Sequence, residues 1–252
     1  MVDSHAHLQF LSIGPKEAVS RALDNGVKYI LCVAVESDDN RKILDISESF
    51  DNVFCSVGIH PLSRWKEEDL KYVEDFSKEA KVVAIGETGL DFYRTEDVNE
   101  IEKQIELFRF HICLALRTGK PLVIHTRGVN HKYGSAFDVC FDMLKKFECK
   151  SAVFHSFSWS EFELKKAQDN GFFTSFSGMV TYSKKIQRCL KVSDIEKTIV
   201  ETDSPFLSPV RGRENEPSYV RFVVEKISEI REESFEELSQ VFIRNFERIF
   251  LR

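Results

Sequence analysis

The chain carries no recognisable address. Its N-terminus has neither the basic nor the apolar segment of a secretory leader. Its longest uninterrupted apolar run, residues 29–35, is far short of a bilayer span. The six cysteines (Cys32, Cys55, Cys113, Cys140, Cys149 and Cys189) include no Cys-x-x-Cys. Several sit inside apolar runs, where a thiol acts as a small hydrophobe, so reduced thiols are expected rather than a disulfide framework. Positive charge is in short supply: 35 Lys and Arg against 41 Asp and Glu leave a net charge of −6. That balance excludes bulk electrostatic coating of nucleic acid but leaves room for an enzyme that grips a few phosphates. These absences predict a soluble, cytoplasmic monomer with no membrane association and no obligate protein partner.

What is present is a rhythm. Short apolar runs rich in β-branched residues, at 2–5, 28–35, 53–58, 82–87, 122–126, 152–155, 172–176 and 198–202, alternate with amphipathic segments. Residues 101–117, 136–147, 162–170 and 218–230 have helical periodicity, and 235–251 reads as a closing helix. Asn25-Gly26, Thr118-Gly119 and Asn170-Gly171 repeat one junction, a helix ended by a glycine before a strand. A length of 252 residues fits two small domains or one α/β barrel, which takes about 250. Eight strands alternating with helices favour a single catalytic domain over 1–252: an α/β chain folded as a (β/α)8 TIM barrel, regular or distorted. The 22 Phe are spread along the chain and suggest core filling. Three of the six prolines fall in 204–217, an irregular stretch after the last strand, where a barrel carries a functional loop.

Such barrels place their chemistry at the C-terminal ends of the strands. In order, those ends carry His5 and His7, His60, Glu87, His125, His155 and Asp203. Alternate residues of a strand project to one side, so His5 and His7 can reach one metal ion. Each residue alone has a plainer reading. His125 or His155 would be a hydrogen-bonded core histidine, Glu87 the start of a helix, and Asp203 the cap of a turn. Jointly, that reading requires six coincidences at one barrel face. Of the other histidines, His111 lies within a helix and His131 in a loop.

The motifs His5-x-His7, Gly-Glu87-Thr-Gly-Leu-Asp91, Val-Ile-His125-Thr-Arg127, Val-Phe-His155-Ser-Phe and Glu201-Thr-Asp203-Ser-Pro-Phe resemble those of the TatD-type metal-dependent deoxyribonucleases, a branch of the amidohydrolase-like barrels. Gly58-Ile-His60-Pro, Ser177-Gly-Met-Val-Thr-Tyr182 and Arg211-Gly-Arg-Glu-Asn-Glu-Pro217 extend the resemblance almost end to end. It implies two divalent cations (Mg, Mn or Zn), one held by His5, His7, Glu87 and Asp203, the other by Glu87, His125 and His155. Cations about 4 Å apart repel, so an anionic ligand shared between them is required, and Glu87 has the two oxygens for it. The activity implied is hydrolysis of DNA phosphodiesters at ends or single strands, as an exonuclease, with Asp203 and Glu87 as catalytic groups.

Around that centre, strand alternation aims Arg127 to the side of His125, where its planar fork suits phosphate. Arg94 and Arg211, with Lys132, Lys184 and Arg213, follow predicted strands and suggest a local basic rim, and His60 suits a phosphate or leaving-group contact. Glu201 shares the inward parity of Asp203 and is placed to orient a ligating histidine. The chain departs from the family pattern at Leu62 (usually His), at Ser156 (usually Cys) and in 128–134, which lacks acidic residues. Loops choose the substrate, so hydrolysis of a small amide, ester or phosphoester, or deacylation of aminoacyl-tRNA, stays open as an alternative use of the same site.

Overall fold

Strand residues such as Ile30, Leu31, Cys32 and Val33 are buried without alternation. A strand apolar on both sides belongs in a parallel sheet covered on both faces. The computed structural model, which describes residues 1–251, forms that sheet from eight strands. They are β1 (Val2–Ala6), β2 (Tyr29–Val33), β3 (Val53–Val57), β4 (Val82–Asp91), β5 (Leu122–Arg127), β8 (Ala152–Phe154), β9 (Phe173–Phe176) and β10 (Thr198–Val200). Each lies parallel beside its predecessor in that order. Among the described residues nine α-helices run between and after them, from α1 (Gly14–Asp24) to α9 (Phe235–Phe250), with α4 (Val98–Thr118) the longest. The result is the (β/α)8 barrel expected from the strand–helix alternation.

The barrel closes just beyond its last strand. Ala6 bridges Ser204, the His7 amide donates to the Ser204 carbonyl at 2.8 Å, and the Asp203 amide donates to the His5 carbonyl at 2.9 Å. Asp3 reinforces the seam by accepting from the Thr202 amide (2.8 Å) and hydroxyl (2.6 Å). Burial pushes the Asp3 carboxyl up to about 8, against the hydrogen bonds it accepts. The seam therefore lies at the mouth that carries His5, His7 and Asp203.

Two segments depart from expectation. β4 continues past 87 to Asp91, pairing Gly89 with His125 and Asp91 with Arg127. Gly89 permits this: at its φ of +123 an added Cβ would lie 2.1 Å from the His125 carbonyl oxygen. Residues 128–134, expected as a loop, contribute to a small antiparallel hairpin, β6 (Val129–Asn130) with β7 (Gly134–Ser135). The three helix-ending glycines have the positive φ their junctions predict. The core is rich in phenylalanine as expected: Phe137 packs 4.9 Å from Phe154, ring centre to ring centre, and both are fully buried. All six cysteines are free thiols. Among the described residues no helix is long and apolar enough to cross a membrane.

Candidate metal centre and its cleft

The parity of β1 puts His5 and His7 side by side, with their Nε2 atoms 3.3 Å apart. Glu87, near the middle of the extended β4, enters between them and the imidazoles of the neighbouring strands. Its Oε2 lies 3.4 Å from His5 Nε2 and 3.9 Å from His7 Nε2. Its Oε1 lies 2.9 Å from His125 Nδ1, 2.8 Å from His155 Nε2 and 3.6 Å from His60 Nε2. Asp203 closes the first group, its Oδ1 3.5 Å from His7 Nε2 and 3.9 Å from His5 Nε2. The six residues picked out as candidate ligands thus converge, and one carboxylate divides its two oxygens between two sets of nitrogens.

The donor chemistry fits divalent cations. Imidazole nitrogens face one another at 3.3 Å (His5, His7) and 3.4 Å (His125, His155). Ligand atoms on a tetrahedral ion with bonds of about 2.1 Å stand roughly 3.4 Å apart. The far sides of two rings are also held, as ligating imidazoles require. His7 Nδ1 lies 2.9 Å from the Val33 carbonyl, which can only accept, so that nitrogen carries the proton and Nε2 keeps its lone pair. His125 turns Nε2 to Asp91 Oδ2 at 3.1 Å, which leaves Nδ1 facing Glu87. His5 and His155 stack with ring centres 4.1 Å apart, and neither Nδ1 has a hydrogen-bond partner. Glu201 lies close to both, 3.5 Å from His155 Nδ1 and fully buried. Its carboxylate is fixed by the Ser156 amide at 2.7 Å and by the Ser175 hydroxyl.

His60 differs from the other rings. Its Nδ1 accepts the Leu62 amide at 3.2 Å, so the neutral ring carries its proton on Nε2, which points toward Glu87 and the cleft. Burial pushes its pKa down to about 4, which keeps it neutral. It is built to donate a hydrogen bond, whereas His7 is built to offer a lone pair.

The remaining shifts weigh burial against neighbouring charge. Burial opposes ionisation of Glu87, yet His155, His60 and His125 outweigh it and hold the carboxyl well below its usual range. Burial likewise opposes ionisation of Asp203, and His7 and His5 prevail. Burial disfavours protonated His155, but Glu87 and Glu201 raise it well above an ordinary imidazole. Against burial, Asp203 and Glu87 raise His7, and Asp91 and Glu87 raise His125, while burial and the neighbouring His155 lower His5. Buried carboxylates among imidazoles call for positive charge, which cations supply.

Above this centre opens a cleft of about 810 Å³. Arg94 and Arg127 line it, as do Phe10 and Phe206, which are 41% and 54% exposed. The Arg127 guanidinium lies 4.2 Å from the centre of the Tyr93 ring, a cation–π contact rather than an ion pair. Arg211 is exposed on the turn 210–213 and does not reach the cleft wall. Lys132 is drawn to Glu102 at 3.4 Å, and neither Lys184 nor Arg213 lines the cleft.

Two contributors escaped the sequence reading. Asp91, besides holding His125, accepts the Tyr93 and Arg94 amides and so ties the rim to the centre. Its place four residues after Glu87, hence on the same strand parity, was the available signal. His111, set aside as a helix residue, accepts the Ile59 amide on Nε2 at 3.2 Å and meets Thr88 Oγ1 and the Leu107 carbonyl with Nδ1, both at 2.9 Å. It braces the neighbours of His60 and Glu87 from below.

A barrel mouth furnished in this way is the hallmark of the metal-dependent hydrolases. Within that class, the chain belongs to the TatD family: it matches the TatD related DNase family over residues 2–251. It is 33% identical over 260 residues to the uncharacterized metal-dependent hydrolase YabD of Bacillus subtilis, covering 99% of this chain and 98% of that one. To the uncharacterized metal-dependent hydrolase YcfH of Escherichia coli K12 it is 34% identical over 259 residues, covering 99% and 95%. The crystal structure of YjjV, a TatD homologue from Escherichia coli K12, superposes with a TM-score of 0.90 at 25% identity, covering 100% and 98%.

Proposed function

We propose that the protein is a deoxyribonuclease that removes nucleotides from single-stranded DNA ends, with the whole chain acting as one catalytic domain. The observation that carries the reading is Glu87, whose two oxygens serve separate sets of imidazoles. That arrangement suits two divalent cations, Mg, Mn or Zn, one at His5, His7, Glu87 and Asp203 and one at Glu87, His125 and His155. Such a pair supplies Lewis acidity and a water acidified towards neutrality.

The side chains divide the remaining work. Asp203, ionised and 14% exposed at the cleft, orients the attacking water and accepts its proton. Arg94 and Arg127 hold phosphoryl oxygens, and the guanidinium fork gives each a paired hydrogen bond. His60 donates from Nε2 to a phosphoryl or leaving oxygen as charge builds there. The water oxygen bonds to phosphorus, the ester P–O bond breaks, and the leaving oxygen takes a proton from solvent. Phe10 and Phe206 offer rings on which bases stack, a contact that tolerates any sequence. The burial of the centre favours ends over the middle of a duplex: His5 is fully buried.

End-labelled single- and double-stranded oligonucleotides, incubated with Mg, Mn or Zn, test this directly. Stepwise shortening by wild type, absent with chelator and in Asp203→Asn, is the expected result. Inert oligonucleotides beside turnover of small esters, amides or aminoacyl-tRNA would replace the nuclease with one of the other hydrolases.

A further inference from the structure

A second cavity, of about 830 Å³, adjoins the cleft, and Leu62 and Ser63 belong to the walls of both. Either volume alone suits a small ligand, for which sites span roughly 300–1,000 Å³. Two such spaces meeting at one wall suit an extended ligand. The wall continues from Ser63 into Arg64, Trp65 and Lys66, and on its other side Thr95 follows the cleft residue Arg94.

Where the cavity meets the cleft, cations without carboxylate partners offer a hold for a polyanion. Arg64, Lys66 and Arg94 form no ion pair with any carboxylate among the described residues, on a protein of net charge −6. The acidic groups of the same cavity are already engaged. Glu100 pairs with Lys103 at 2.9 Å, and Glu106 faces Arg109 at 3.9 Å. Asp69 accepts the Lys66 amide and the Ser37 hydroxyl. Trp65 is part-buried against the core and lines the cavity. The loop that carries it is pinned: the Ser63 amide donates to the His60 carbonyl at 2.9 Å, and the Ser63 hydroxyl to the Val35 carbonyl at 3.1 Å. One short segment thus sets both His60 at the centre and Trp65 beyond it.

We propose that this cavity is a nucleotide-binding extension of the cleft. A base of an extended single strand stacks on Trp65 while Arg64 and Lys66 hold the neighbouring phosphates, an assignment that rests on the nuclease reading above. A stacking ring beside free cations is how single strands are gripped without regard to sequence. The consequence is a length requirement: substrates too short to span Leu62 and Ser63 forgo the second set of contacts.

The test uses metal-loaded protein with oligothymidylates of two, four and eight residues, natural for turnover and phosphorothioate-linked for binding. Affinity should climb between two and eight residues, with quenching of tryptophan emission that disappears in Trp65→Phe. Trp65→Ala should weaken the eight-residue ligand by about tenfold, and Arg64→Ala with Lys66→Ala by a similar factor at low salt. The two-residue ligand should change less than twofold, and Trp65→Phe should retain most of the affinity. The arginine and lysine are exposed, so their variants remain informative if Trp65→Ala fails to fold. Cleavage and binding of the eight-residue substrate that are unaffected by these changes would overturn the extension and leave the nuclease standing. Length-dependent quenching without any hydrolysis would keep the extension and remove the nuclease. Oligonucleotides neither bound nor cut would remove both.

Discussion

At the floor of the cleft, three functional rings are held by a neighbour, His7 by the Val33 carbonyl, His125 by Asp91 and His60 by the Leu62 amide, and His155 stands beside the buried Glu201 carboxylate. At the rim, Arg94 has no carboxylate partner among the described residues, and Arg127 rests on Tyr93, itself 68% exposed. The floor is fixed before any ligand arrives, as chemistry on developing charge requires. The rim leaves its cations without carboxylate partners, as the proposed recognition of a varied polymer requires. Changes at the floor should therefore act on metal content and kcat, and changes at the rim on KM.

The largest test of that division is Glu87→Gln, which keeps the shape and removes the charge. Hydrolysis should fall by at least about 10³-fold, and elemental analysis should find less than the two bound cations expected per wild-type chain. Unchanged circular dichroism would assign the loss to the site. Activity near that of wild type would end the assignment.

Next comes the bracing beneath the floor. His111 satisfies both ring nitrogens only as the neutral tautomer, and burial pushes its pKa from 6.5 down to about 4. The unfolded chain takes up this proton near pH 6.5, whereas the folded chain resists until about pH 4. The stabilising contribution is thus complete above 6.5 and disappears as pH falls through the folded value, a loss of about 3 kcal/mol. Urea midpoints between pH 7.5 and 4, with chelator throughout, should fall less steeply in His111→Gln than in wild type.

Asp91→Asn should weaken cation affinity by roughly 10–100-fold, measured by chelator competition, with kcat largely restored at saturating metal. Failure of added metal to restore turnover would place Asp91 in the chemistry itself. The mildest expected change is at the rim. Arg127→Ala should raise KM for oligonucleotides about tenfold and leave kcat nearly intact, with a shallower dependence of KM on salt. A fall in kcat alone would erase the distinction between rim and floor.

The floor was legible because strand geometry is periodic. His5 and His7 share a face by parity, and His125, His155 and Asp203 sit where barrel strands end. The boundary of β4 was not legible. Gly-Glu87-Thr-Gly resembles a strand giving way to a loop, and the close approach of Gly89 to the His125 carbonyl is a long-range fact. With that boundary misplaced, Asp91 lost its role. His111 was unreadable for a related reason: its partners, Ile59 just past β3 and Thr88 within β4, are distant in sequence. The 129–135 hairpin has strands of two residues, too short for any period. Trp65 carries no motif, and only the wall it shares with its neighbours gives it meaning.

The seam between Asp3 and Thr202 spans 199 residues of chain. Loop closure over that distance is entropically costly and slow compared with pairing of adjacent strands. On a ribosome, His5 and His7 emerge first and Asp203 long after, so the earliest part of the centre waits for one of the last segments made. A nascent chain halted before residue 200 holds five of the six candidate ligands but has no closed mouth to gather them. On the proposed ligand set, hydrolytic competence is therefore a late event in the life of each molecule, reached only with the bridge, Ala6 to Ser204, that completes the barrel.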